Sequence, residues 1–583
     1  MEARLHSNLR YAPSEVKVEK RADGSMVLRP PQPLRPYPRC VGDWLKQWYE
    51  KAPDRTFLAE RNKDGGWRRL TYRDALSDTR SIGQALLNLG LNAERPVAIL
   101  SENSIDFALL ALGAIHVGVP VAPISTAYSL MSKDFAKLKY IFGLVRPGLV
   151  FAADPAKYGP ALAAVGAKST SVAELLETNP GSTLEVAHSR VTPDTVAKIL
   201  FTSGSTGIPK GVINTQRMLT SNQQSWAQVW PFLEDNPPVI CEWLPWNHTF
   251  GGNATFGLIL RNGGTFYIDG GRPVPGLFET TLRNLREVPT TLHFNVPRAY
   301  DLLVPQLEAD AQLRATFFRD LKMLFYAGAA LPQNLWERLE RLALQEKGGE
   351  LAMTSSWGST ETAPMAVSVY SPADRAGVIG LPAPGCQIKL VPSGSKLEAR
   401  VKGPNVTPGY FRSPELTKAA FDDEGFYRIG DALKLADPAA PEKGLVFDGR
   451  VAEDFKLTTA TWVHVGALRV KLIAACNPFL QDAVITGHDR DEVGALVFLN
   501  LISTKDLPGE KIREQISKAL KTLAKEGGSS THPKRVLIMA EPPSIDAGEI
   551  TDKGYINQRA VLERRAALIE TLYRDPSAPD VIT

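Results

Sequence analysis

The strongest local signal in the sequence lies at residues 197–211 and indicates an anion-binding loop. Apolar residues typical of a strand lead to Thr-Ser-Gly-Ser-Thr-Gly-Ile-Pro-Lys-Gly over 202–211. Glycines let backbone N–H groups approach an anion, hydroxyl groups add donors, and the lysine adds positive charge. A triphosphate requires such groups; a Ser/Gly-rich hairpin turn without a ligand is the alternative interpretation. The candidate phosphate-binding residues are Thr202, Ser203, Gly204, Ser205, Thr206, Gly207 and Lys210.

The spacing of this loop differs from that of the P-loop of NTPases. Counted from Gly204, a P-loop requires Gly-Lys at 209–210 and then Ser or Thr. Here Pro209 precedes the lysine and Gly211 follows it. Residues 211–215, Gly-Val-Ile-Asn-Thr, are typical of a strand rather than of the first turn of a helix. The sequence therefore predicts a phosphate-binding loop of a different kind.

Residues 202–211 match the Thr-Ser-Gly-Ser-Thr-Gly-x-Pro-Lys-Gly signature of the adenylate-forming superfamily at every position. This superfamily includes acyl-CoA synthetases, nonribosomal-peptide adenylation domains and firefly-type luciferases, and further motifs resemble it along nearly the whole chain. The resemblance implies an α/β fold: a large N-terminal body of several subdomains with mixed sheets, joined by a hinge to a small α+β C-terminal domain. The domains are expected at 1–450 and 451–583. ATP, Mg²⁺ and coenzyme A, the last as a substrate, are the implied ligands.

Two further segments resemble those that form the acid site of the superfamily. Leu-Pro-Trp-Asn-His-Thr-Phe-Gly-Gly-Asn at 244–253 resembles the motif beside the acid carboxylate. A neutral imidazole can orient a carboxylate for attack on phosphorus, although a single histidine such as His248 is usually structural. Residues 326–332 resemble the floor of the acyl pocket, where small residues leave room for a flat ring; a tight strand-to-helix turn is the alternative. The implied acyl-pocket residues are His248, Asn253, Gly328, Ala329 and Gly358.

A fourth motif, Ser-Ser-Trp-Gly-Ser-Thr-Glu at 355–361, is similar to the aromatic-Gly-x-Thr-Glu string of the superfamily. The resemblance implies that Trp357 lies near adenine, that Thr360 contacts phosphate and that Glu361 holds Mg²⁺. Hard cations prefer oxygen ligands, so a carboxylate suits that role, but without the resemblance a solvated surface acid would be the better interpretation. The nucleotide-binding residues implied besides the hydroxyl loop are Gly328, Ala329, Ala330, Ser356, Trp357, Gly358, Ser359, Thr360, Asp431 and Arg450.

The last two of these residues belong to the ribose site. Phe-Tyr-Arg-Ile-Gly-Asp at 426–431 matches the ribose-binding string of the superfamily, with Ile429 where Thr is usual. A carboxylate at Asp431 has two acceptor oxygens and suits two ribose hydroxyls. Arg450, after Asp-Gly, is expected in the same region. Charged turn residues in solvated loops would be the interpretation without the resemblance.

The C-terminal segment departs from the superfamily. Most relatives end a Pro-x-Thr-x-x-Gly-Lys motif with the lysine that catalyses adenylation, but Glu549 stands at that position here. We predict Lys553 as the replacement, catalytic together with Lys210 and His248, because positive charge next to developing negative charge is hard to replace. A lysine-free mechanism is the alternative, and a Glu549 substitution is expected to have little effect on adenylation. Hinge residues are expected at Ala452, the position at which relatives have Asp or Lys, and at Glu453.

The departures themselves resemble one subgroup. The strings at 449–469 and 545–557 are similar to those of feruloyl-CoA synthases, which implies conversion of ferulate, ATP and CoA to feruloyl-CoA, AMP and diphosphate through an acyl-adenylate. The alternatives are a ligase for another aryl or fatty acid, an adenylation domain that loads a carrier protein, and a non-catalytic nucleotide-binding regulator.

The elements around these motifs alternate between helices and strands. The apolar spacing predicts helices over 74–89 and 104–116 and strands over 95–100 and 119–123. Such alternation favours an α/β architecture with mostly parallel, buried strands. Residues 1–40 are polar and Pro-rich and are expected to lie on the surface rather than in a core layer.

Composition excludes several classes of protein. The 583 residues include 67 Lys and Arg against 63 Asp and Glu, a net charge of +4, which argues against a nucleic-acid footprint. The four cysteines are far apart, so a disulfide scaffold or zinc ribbon is not expected. The first residues lack a signal-peptide core, and no run is apolar enough for a membrane span. We therefore expect a cytoplasmic protein with small-molecule partners and no membrane or nucleic-acid partner; the sequence leaves the oligomeric state open.

Overall fold

The structure of the chain, a computed structural model, describes residues 9–203, 207–329, 331–349, 351–371, 376–501, 503–525, 527–528, 530–551 and 554–583. The strands are β1 Lys17–Lys20, β2 Met26–Arg29, β3 Thr56–Arg61, β4 Trp67–Thr71, β5 Val97–Leu100, β6 Val121–Pro123, β7 Leu149–Ala152, β8 Val196–Ser203, β9 Pro209–Thr215, β10 Val239–Glu242, β11 Thr265–Ile268, β12 Leu292–Asn295, β13 Met323–Tyr326, β14 Ala352–Gly358, β15 Met365–Ser368, β16 Val378–Pro382, β17 Gln387–Ser393, β18 Lys396–Lys402, β19 Tyr427–Leu435, β20 Leu445–Arg450, β21 Phe455–Lys456, β22 Trp462–Val463, β23 Leu480–Thr486, β24 Gly494–Leu499, β25 Arg535–Ile538 and β26 Val581–Ile582.

The helices follow the predicted alternation. They are α1 Val41–Lys51, α2 Tyr72–Asn88, α3 Ile105–His116, α4 Ala127–Leu130, α5 Ala136–Val145, α6 Gly159–Ala164, α7 Val172–Leu176, α8 Ser182–Arg190, α9 Gln216–Val229, α10 Phe256–Asn262, α11 Phe278–Glu287, α12 Pro297–Ala309, α13 Ala311–Arg319, α14 Gln333–Lys347, α15 Pro414–Ala419, α16 Val465–Ala475, α17 Gly509–Ala524, α18 Gln558–Arg564 and α19 Ala566–Tyr573. Short 3₁₀ turns lie at Pro231–Glu234, Thr360–Thr362 and Pro441–Lys443, and a π-helix spans Phe250–Thr255.

The helices and strands predicted from periodicity near the N-terminus are confirmed. The side chain of Thr71 caps α2, and that of Ser104 caps α3 by accepting from Phe107 N. Every residue of α3 except Asp106 is buried, as expected for a helix that is apolar on nearly all sides. It leads into β6, also fully buried, at the centre of a sheet.

The body contains three sheets, and their strand directions correct one expectation. The five-stranded sheet β7-β5-β6-β8-β9 is parallel except for the last pair, and the four-stranded sheet β10-β11-β3-β4 also ends in an antiparallel pair. The eleven-stranded sheet is parallel only across β12, β13 and β14; the remaining pairs, through to β1, are antiparallel. The expectation of mostly parallel strands is therefore wrong for this sheet. Apart from the connection between β18 and β19, which contains the short helix α15, its strands after β14 follow one another without α-helices between them, which permits antiparallel pairing.

The sequence predicted that the N-terminal segment lies on the surface, but part of it is buried in the structure. Strands β1 and β2 form a hairpin, and β2 pairs with β17 at the edge of the large sheet. Val27 and Leu28 are buried, and Leu28 belongs to the core of this sheet. The Pro-rich composition of residues 30–38 concealed a short alternating stretch just before it, and that part of the prediction is wrong.

The C-terminal part has its own sheet and core. Strands β23-β24-β25-β26 form a four-stranded mixed sheet, with α16 and α17 packed into the core beside it. The predicted α/β fold, a large body with mixed sheets and a smaller C-terminal domain, is confirmed. The domain boundary at 450/451 stays a prediction; β20 ends at Arg450 and β21 begins at Phe455.

Two properties of the whole chain concern its environment. The cysteines are all buried as free thiols. Among the described residues, the helices are too short or too polar for any of them to cross a membrane.

The C-terminal domain docks on the body through the loop 544–555. The Asp546 carboxylate accepts from Ser132 Oγ at 2.7 Å and from the backbone N of Lys133 at 3.1 Å, and Lys137 Nζ donates to Ile545 O at 2.5 Å. At the other end of the interface, Lys396 of β18 forms an ion pair with Asp454, and both side chains are buried. The loop and the segment around Asp454 are thus held to the body by separate contacts.

Within the C-terminal domain, the same loop is fixed by Glu549, which is fully buried. Its carboxylate accepts from Arg565 at 2.7 and 2.9 Å, from Arg564 at 2.7 Å and from Ser544 N at 2.8 Å. Burial opposes ionisation of this carboxyl, but the bonds from Arg565 and Ser544 and the charges of Arg565 and Arg564 together outweigh burial and lower its pKa. Glu549 therefore has a structural role that the expectation of a small substitution effect did not take into account.

Replacement of Glu549 by Ala should destabilise the C-terminal domain, because it leaves buried Arg565 without its partner. Removing one member of a buried ion pair typically costs about 3 kcal/mol. The expected result is a clearly lower midpoint of thermal unfolding at pH 7. Glu563→Ala, in an exposed pair with Arg559, is the control and should shift the midpoint little. Equal shifts for the two variants would contradict the structural role.

Replacement of Asp546 by Ala should weaken docking without unfolding either domain, because it removes only contacts between them. We expect proteolytic cleavage in the linker 451–454 to accelerate by about threefold or more, since local opening controls access. Limited proteolysis with mass spectrometry measures this rate. Asp506→Ala, an exposed aspartate of the same domain, is the control; an unchanged cleavage rate in Asp546→Ala would show that the contact does not hold the domains together.

Candidate functional site

The predicted phosphate loop connects β8 and β9. These strands are antiparallel, and Thr202 pairs with Lys210 at the end of the hairpin. The strand predicted over 211–215 is confirmed, since β9 spans Pro209–Thr215. Gly204, Ser205 and Thr206 lie outside the described residues, as does the side chain of Ser203. The described residues thus place Lys210 at the open end of a hairpin whose strands continue into a buried sheet.

The outer edge of β9 is covered by the segment 407–411. Phe411 N donates to Gly211 O at 2.7 Å, and Ile213 N donates to Gly409 O at 3.1 Å. This pairing places the ring of Tyr410 beneath Lys210, with Nζ 5.3 Å from the ring centroid. Sequence reasoning missed Tyr410, because no motif included it. The only signal was an aromatic residue in a Gly/Pro-rich turn.

Tyr410 also connects the lysine to the predicted metal ligand. Its hydroxyl donates to Glu361 Oε1 at 3.0 Å and lies 3.3 Å from the Tyr427 hydroxyl. Burial raises the pKa of both phenols, so they remain protonated donors. Glu361 lies in the 3₁₀ turn after β14 and is buried. A carboxylate has more acceptor sites than this one bond uses, which fits an oxygen ligand for Mg²⁺.

The structure also brings together Trp357, Asp431 and Arg450, which the sequence placed at adenine and ribose. Trp357 Nε1 donates to Asp431 Oδ2 at 2.9 Å. Asp431 and Arg450 are cross-strand partners on β19 and β20, and Arg450 Nε lies 2.9 Å from Asp431 Oδ1. Burial raises the pKa of Asp431, and Arg450 opposes that shift. The Arg450 side chain is 57% exposed, so this cluster is open to a ligand on the arginine side.

The remaining nucleotide residues lie where neighbouring parallel strands end. Gly328 and Ala329 follow β13, while Ser356, Trp357 and Gly358 end β14, with Ser359 and Thr360 next in the chain. Carboxyl ends of parallel strands meet at one sheet edge, where α/β proteins bind ligands. Gly328 has φ +86°, and a Cβ there would collide with the hydroxyl of Tyr555 from the C-terminal domain. Ala330 lies outside the described residues.

His248 and Asn253 are both buried, in the segment that leads into and through the π-helix Phe250–Thr255. Asn247 Nδ2 lies 3.4 Å from His248 Nε2. The Asn253 amide group bonds to protein groups on three sides: Nδ2 donates to Asn214 Oδ1 at 2.8 Å and Thr249 Oγ1 at 3.1 Å, and Oδ1 accepts from Lys198 Nζ at 3.2 Å. Asn253 is therefore a junction between elements, and its place in an acyl pocket stays a prediction.

The expected hinge residues, Ala452 and Glu453, form an exposed turn after β20. Asp454 follows them and accepts from Val465 N at 3.1 Å, besides its pairs with Lys396 and His464. Lys553 lies outside the described residues. Among the described residues on either side of it, Thr551 N donates to Tyr555 O at 2.8 Å.

Comparison with known proteins agrees with the motifs. The chain matches the family model "AMP-binding enzyme" over residues 45–411 and "AMP-binding enzyme C-terminal domain" over 467–577. It is 25% identical to a probable CoA ligase of Humulus lupulus over 65% of this chain and 64% of that protein. It is 25% identical to a carboxylic acid reductase of Mycobacterium marinum over 66% of this chain and 33% of that protein. The matched region is thus less than two thirds of either relative.

Solved structures share the fold. An anthranilate CoA ligase in complex with anthranoyl-AMP has a TM-score of 0.71 at 19% identity and covers 92% of this chain and 98% of its own. The O-succinylbenzoate coenzyme A synthetase of Bacillus subtilis, in complex with AMP, has a TM-score of 0.67 at 18% identity and covers 90% of this chain and 97% of its own. The first family model spans more than half of the chain, and the protein therefore belongs to the AMP-binding enzyme family.

Proposed function

We propose that the protein is an AMP-forming ligase that joins an aryl carboxylic acid to coenzyme A. The observation that carries this proposal is the cluster of Lys210, Tyr410 and Glu361 at the mouth of the β8–β9 hairpin. Lys210, a cation suited to phosphate, lies over the ring of Tyr410. Glu361, a carboxylate suited to Mg²⁺, accepts a hydrogen bond from the hydroxyl of the same residue. A non-catalytic nucleotide-binding regulator would not require this arrangement together with the Trp357–Asp431–Arg450 cluster.

In the first half-reaction, a carboxylate oxygen of the acid attacks the α-phosphorus of ATP. The bond from that phosphorus to the bridging oxygen breaks, and diphosphate leaves. Lys210 and the hydroxyl loop bind the β- and γ-phosphates. Glu361 would hold Mg²⁺, which would supply positive charge that offsets the charge of the phosphates. His248 orients the acid, and Lys553 stabilises charge on the α-phosphate and the bridging oxygen.

The nucleoside would be held by the second cluster. Trp357 packs against adenine, and Asp431 and Arg450 bind the ribose hydroxyls. In the structure Asp431 already accepts from Trp357 Nε1. That bond holds the carboxylate in one orientation before ATP binds, which reduces the ordering cost of binding.

In the second half-reaction, the thiolate of coenzyme A attacks the carbonyl carbon of the acyl-adenylate and AMP leaves. We propose that the C-terminal domain rotates about Ala452 and Glu453 between the two steps. The rotation would break the Asp546 contacts with Ser132 and Lys133 and withdraw Lys553. One site can then serve two reactions by domain motion.

For the acid, we propose ferulate or a closely related hydroxycinnamate. The strings at 449–469 and 545–557, which resemble feruloyl-CoA synthases, support this choice. The names of two similar solved structures, an anthranilate CoA ligase and an O-succinylbenzoate CoA synthetase, support an aromatic acid. A sulfoacetate–CoA ligase of Cupriavidus necator, 29% identical, shows that relatives with other acids exist.

A carrier-protein acceptor is the second candidate function. Adenylation domains of carboxylic acid reductases match this chain with TM-scores of 0.71 and 0.68. These matches support a function in which the acceptor of the acyl group is a protein-bound thiol instead of free coenzyme A. Turnover with free coenzyme A distinguishes the two functions.

Ferulate, 4-coumarate, caffeate, benzoate and octanoate, each with ATP, Mg²⁺ and coenzyme A, form the panel that tests the proposal. We expect AMP and an acyl-CoA thioester from all three hydroxycinnamates, with the highest kcat/KM for ferulate or a close analogue. The measurement is thioester formation followed by absorbance and confirmed by mass spectrometry. A higher kcat/KM for octanoate than for every cinnamate would exclude the aryl preference. Adenylate formation without thioester would favour the carrier-protein function.

Lys553→Ala should lower adenylation by about 10²–10³-fold, because one preorganised contact to developing charge is lost. Thioester formation from supplied feruloyl-AMP should change little, since no diphosphate leaves in that step. Pyrophosphate exchange and a single-turnover thioester assay measure the two steps. Lys534→Ala, on the same domain and paired with Glu492 at 3.4 Å, is the matched control. Near-normal adenylation in Lys553→Ala would transfer the role to another lysine.

A further inference from the structure

The π-helix Phe250–Thr255 is the most unusual backbone segment next to the acid motif. π-helices are rare, and they occur frequently at functional sites. Here the first turn packs directly on the chain that leads to His248: a Cβ at Gly252 would overlap the carbonyl oxygen of Trp246. Gly252 N also donates to His248 O at 2.7 Å. The π-helix and the chain around His248 therefore move as one unit.

Side chains from other elements hold this π-helix by its carbonyl oxygens. Lys198 Nζ, on β8, donates to Gly252 O at 2.6 Å. Gln223 Nε2, on α9, donates to Asn253 O and to Ala254 O, each at 2.9 Å. Three consecutive carbonyl groups thus have partners outside the π-helix, and these partners determine where it lies.

The bonds to Asn253 link the π-helix to the phosphate hairpin. Lys198 and Asn214 are cross-strand partners on β8 and β9. Lys198 donates to Asn253 Oδ1, and Asn214 Oδ1 accepts from Asn253 Nδ2. One residue from each strand of the hairpin therefore forms a hydrogen bond with the side chain of Asn253. Thr202, four residues after Lys198 on β8, begins the hydroxyl loop.

Burial of the charged Lys198 amine at this position costs free energy of desolvation. It is buried, and no Asp or Glu among the described residues forms an ion pair with it. Its burial lowers the pKa of the amine to about 7. A neutral amide such as Gln223 bonds to the neighbouring carbonyls without this desolvation cost. Proteins retain unfavourable buried groups such as this lysine mainly at functional sites.

We infer that Lys198 and Asn214 are positioning residues that set the acid motif relative to the phosphate loop, so that the acid carboxylate faces the α-phosphorus of ATP. This inference rests on the proposed function. The two residues act through Asn253 and the π-helix, and so through the location of His248. A displacement of about 1 Å between reacting groups is enough to lower a rate by about 10²-fold.

The test is Lys198→Met, which keeps the length of the side chain and removes its donors. For adenylation measured by pyrophosphate exchange, we expect kcat/KM for the acid to fall by about 10- to 100-fold, while KM for ATP changes by less than about threefold. Asn214→Leu should give the same pattern. The double variant should lose less than the product of the single effects, because both residues act on one side chain.

Lys389→Met is the matched control. Lys389 is a buried lysine of β17 paired with Asp422 at 3.0 Å, remote from the acid motif in the fold. It should lower the midpoint of thermal unfolding and leave KM for the acid unchanged. If Lys198→Met does not fold, Lys198→Gln, which retains shorter donors, replaces it and should show a smaller loss in kcat/KM for the acid.

The outcomes separate this inference from the proposed function. A wild-type protein that activates none of the acids in the panel would contradict the proposed function. A wild-type protein that is active, with Lys198→Met leaving kcat/KM for the acid unchanged, or raising KM for ATP by as large a factor as it lowers kcat/KM for the acid, would overturn the positioning role alone. Strictly multiplicative effects of Lys198→Met and Asn214→Leu would overturn it as well.

Discussion

The β8–β9 hairpin is the constraint on which the site depends, because it must present polar groups at the end of two buried strands. Its inner strand, β8, lies between β6 and β9 in the five-stranded sheet, so its backbone groups have partners on both sides. Its outer strand would be an open edge, and the segment 407–411 covers it. That cover brings Tyr410 to Lys210. The pairing that protects a sheet edge therefore also assembles the cation and carboxylate of the site.

The irregular segments around the hairpin need partners for their carbonyl groups, and α9 provides many of them. This helix follows β9 directly and is buried at every position except Arg217, although much of it is polar. Asn222 donates to Met365 O at 2.8 Å, Ser225 to Pro384 O at 3.0 Å, and Gln223 to the π-helix. Such hydrogen bonds offset the cost of burying these polar side chains. One polar helix thus fixes several loops that lack regular partners of their own.

Sequence reasoning located the parts of the site that have a local pattern. Trp357, Asp431 and Arg450 lie together in the structure because each belongs to a short string that leads to one sheet region. Tyr410 and Lys198 were missed because their importance comes from cross-strand pairing between distant segments, which leaves no periodic trace. The hairpin at 17–29 and the antiparallel large sheet were mispredicted for the same reason: strand partners are chosen by tertiary packing. Burial of Glu549 was equally invisible, since a charged residue is normally exposed.

The contacts between the two domains fit a reversible docking. The contacts made by Ile545 and Asp546 are exposed or partly buried hydrogen bonds, each worth about 1 kcal/mol net. Together the Ser132, Lys133 and Lys137 bonds contribute about 3 kcal/mol, which shifts an equilibrium by about 10²-fold. A ligand with a similar preference for the other orientation can reverse that bias. The Lys396–Asp454 pair, by contrast, is buried next to the turn at Ala452 and Glu453. This ion pair lies close to the proposed pivot, so a rotation of the C-terminal domain displaces it least. It can therefore persist while the weaker hydrogen bonds of the loop break and form again.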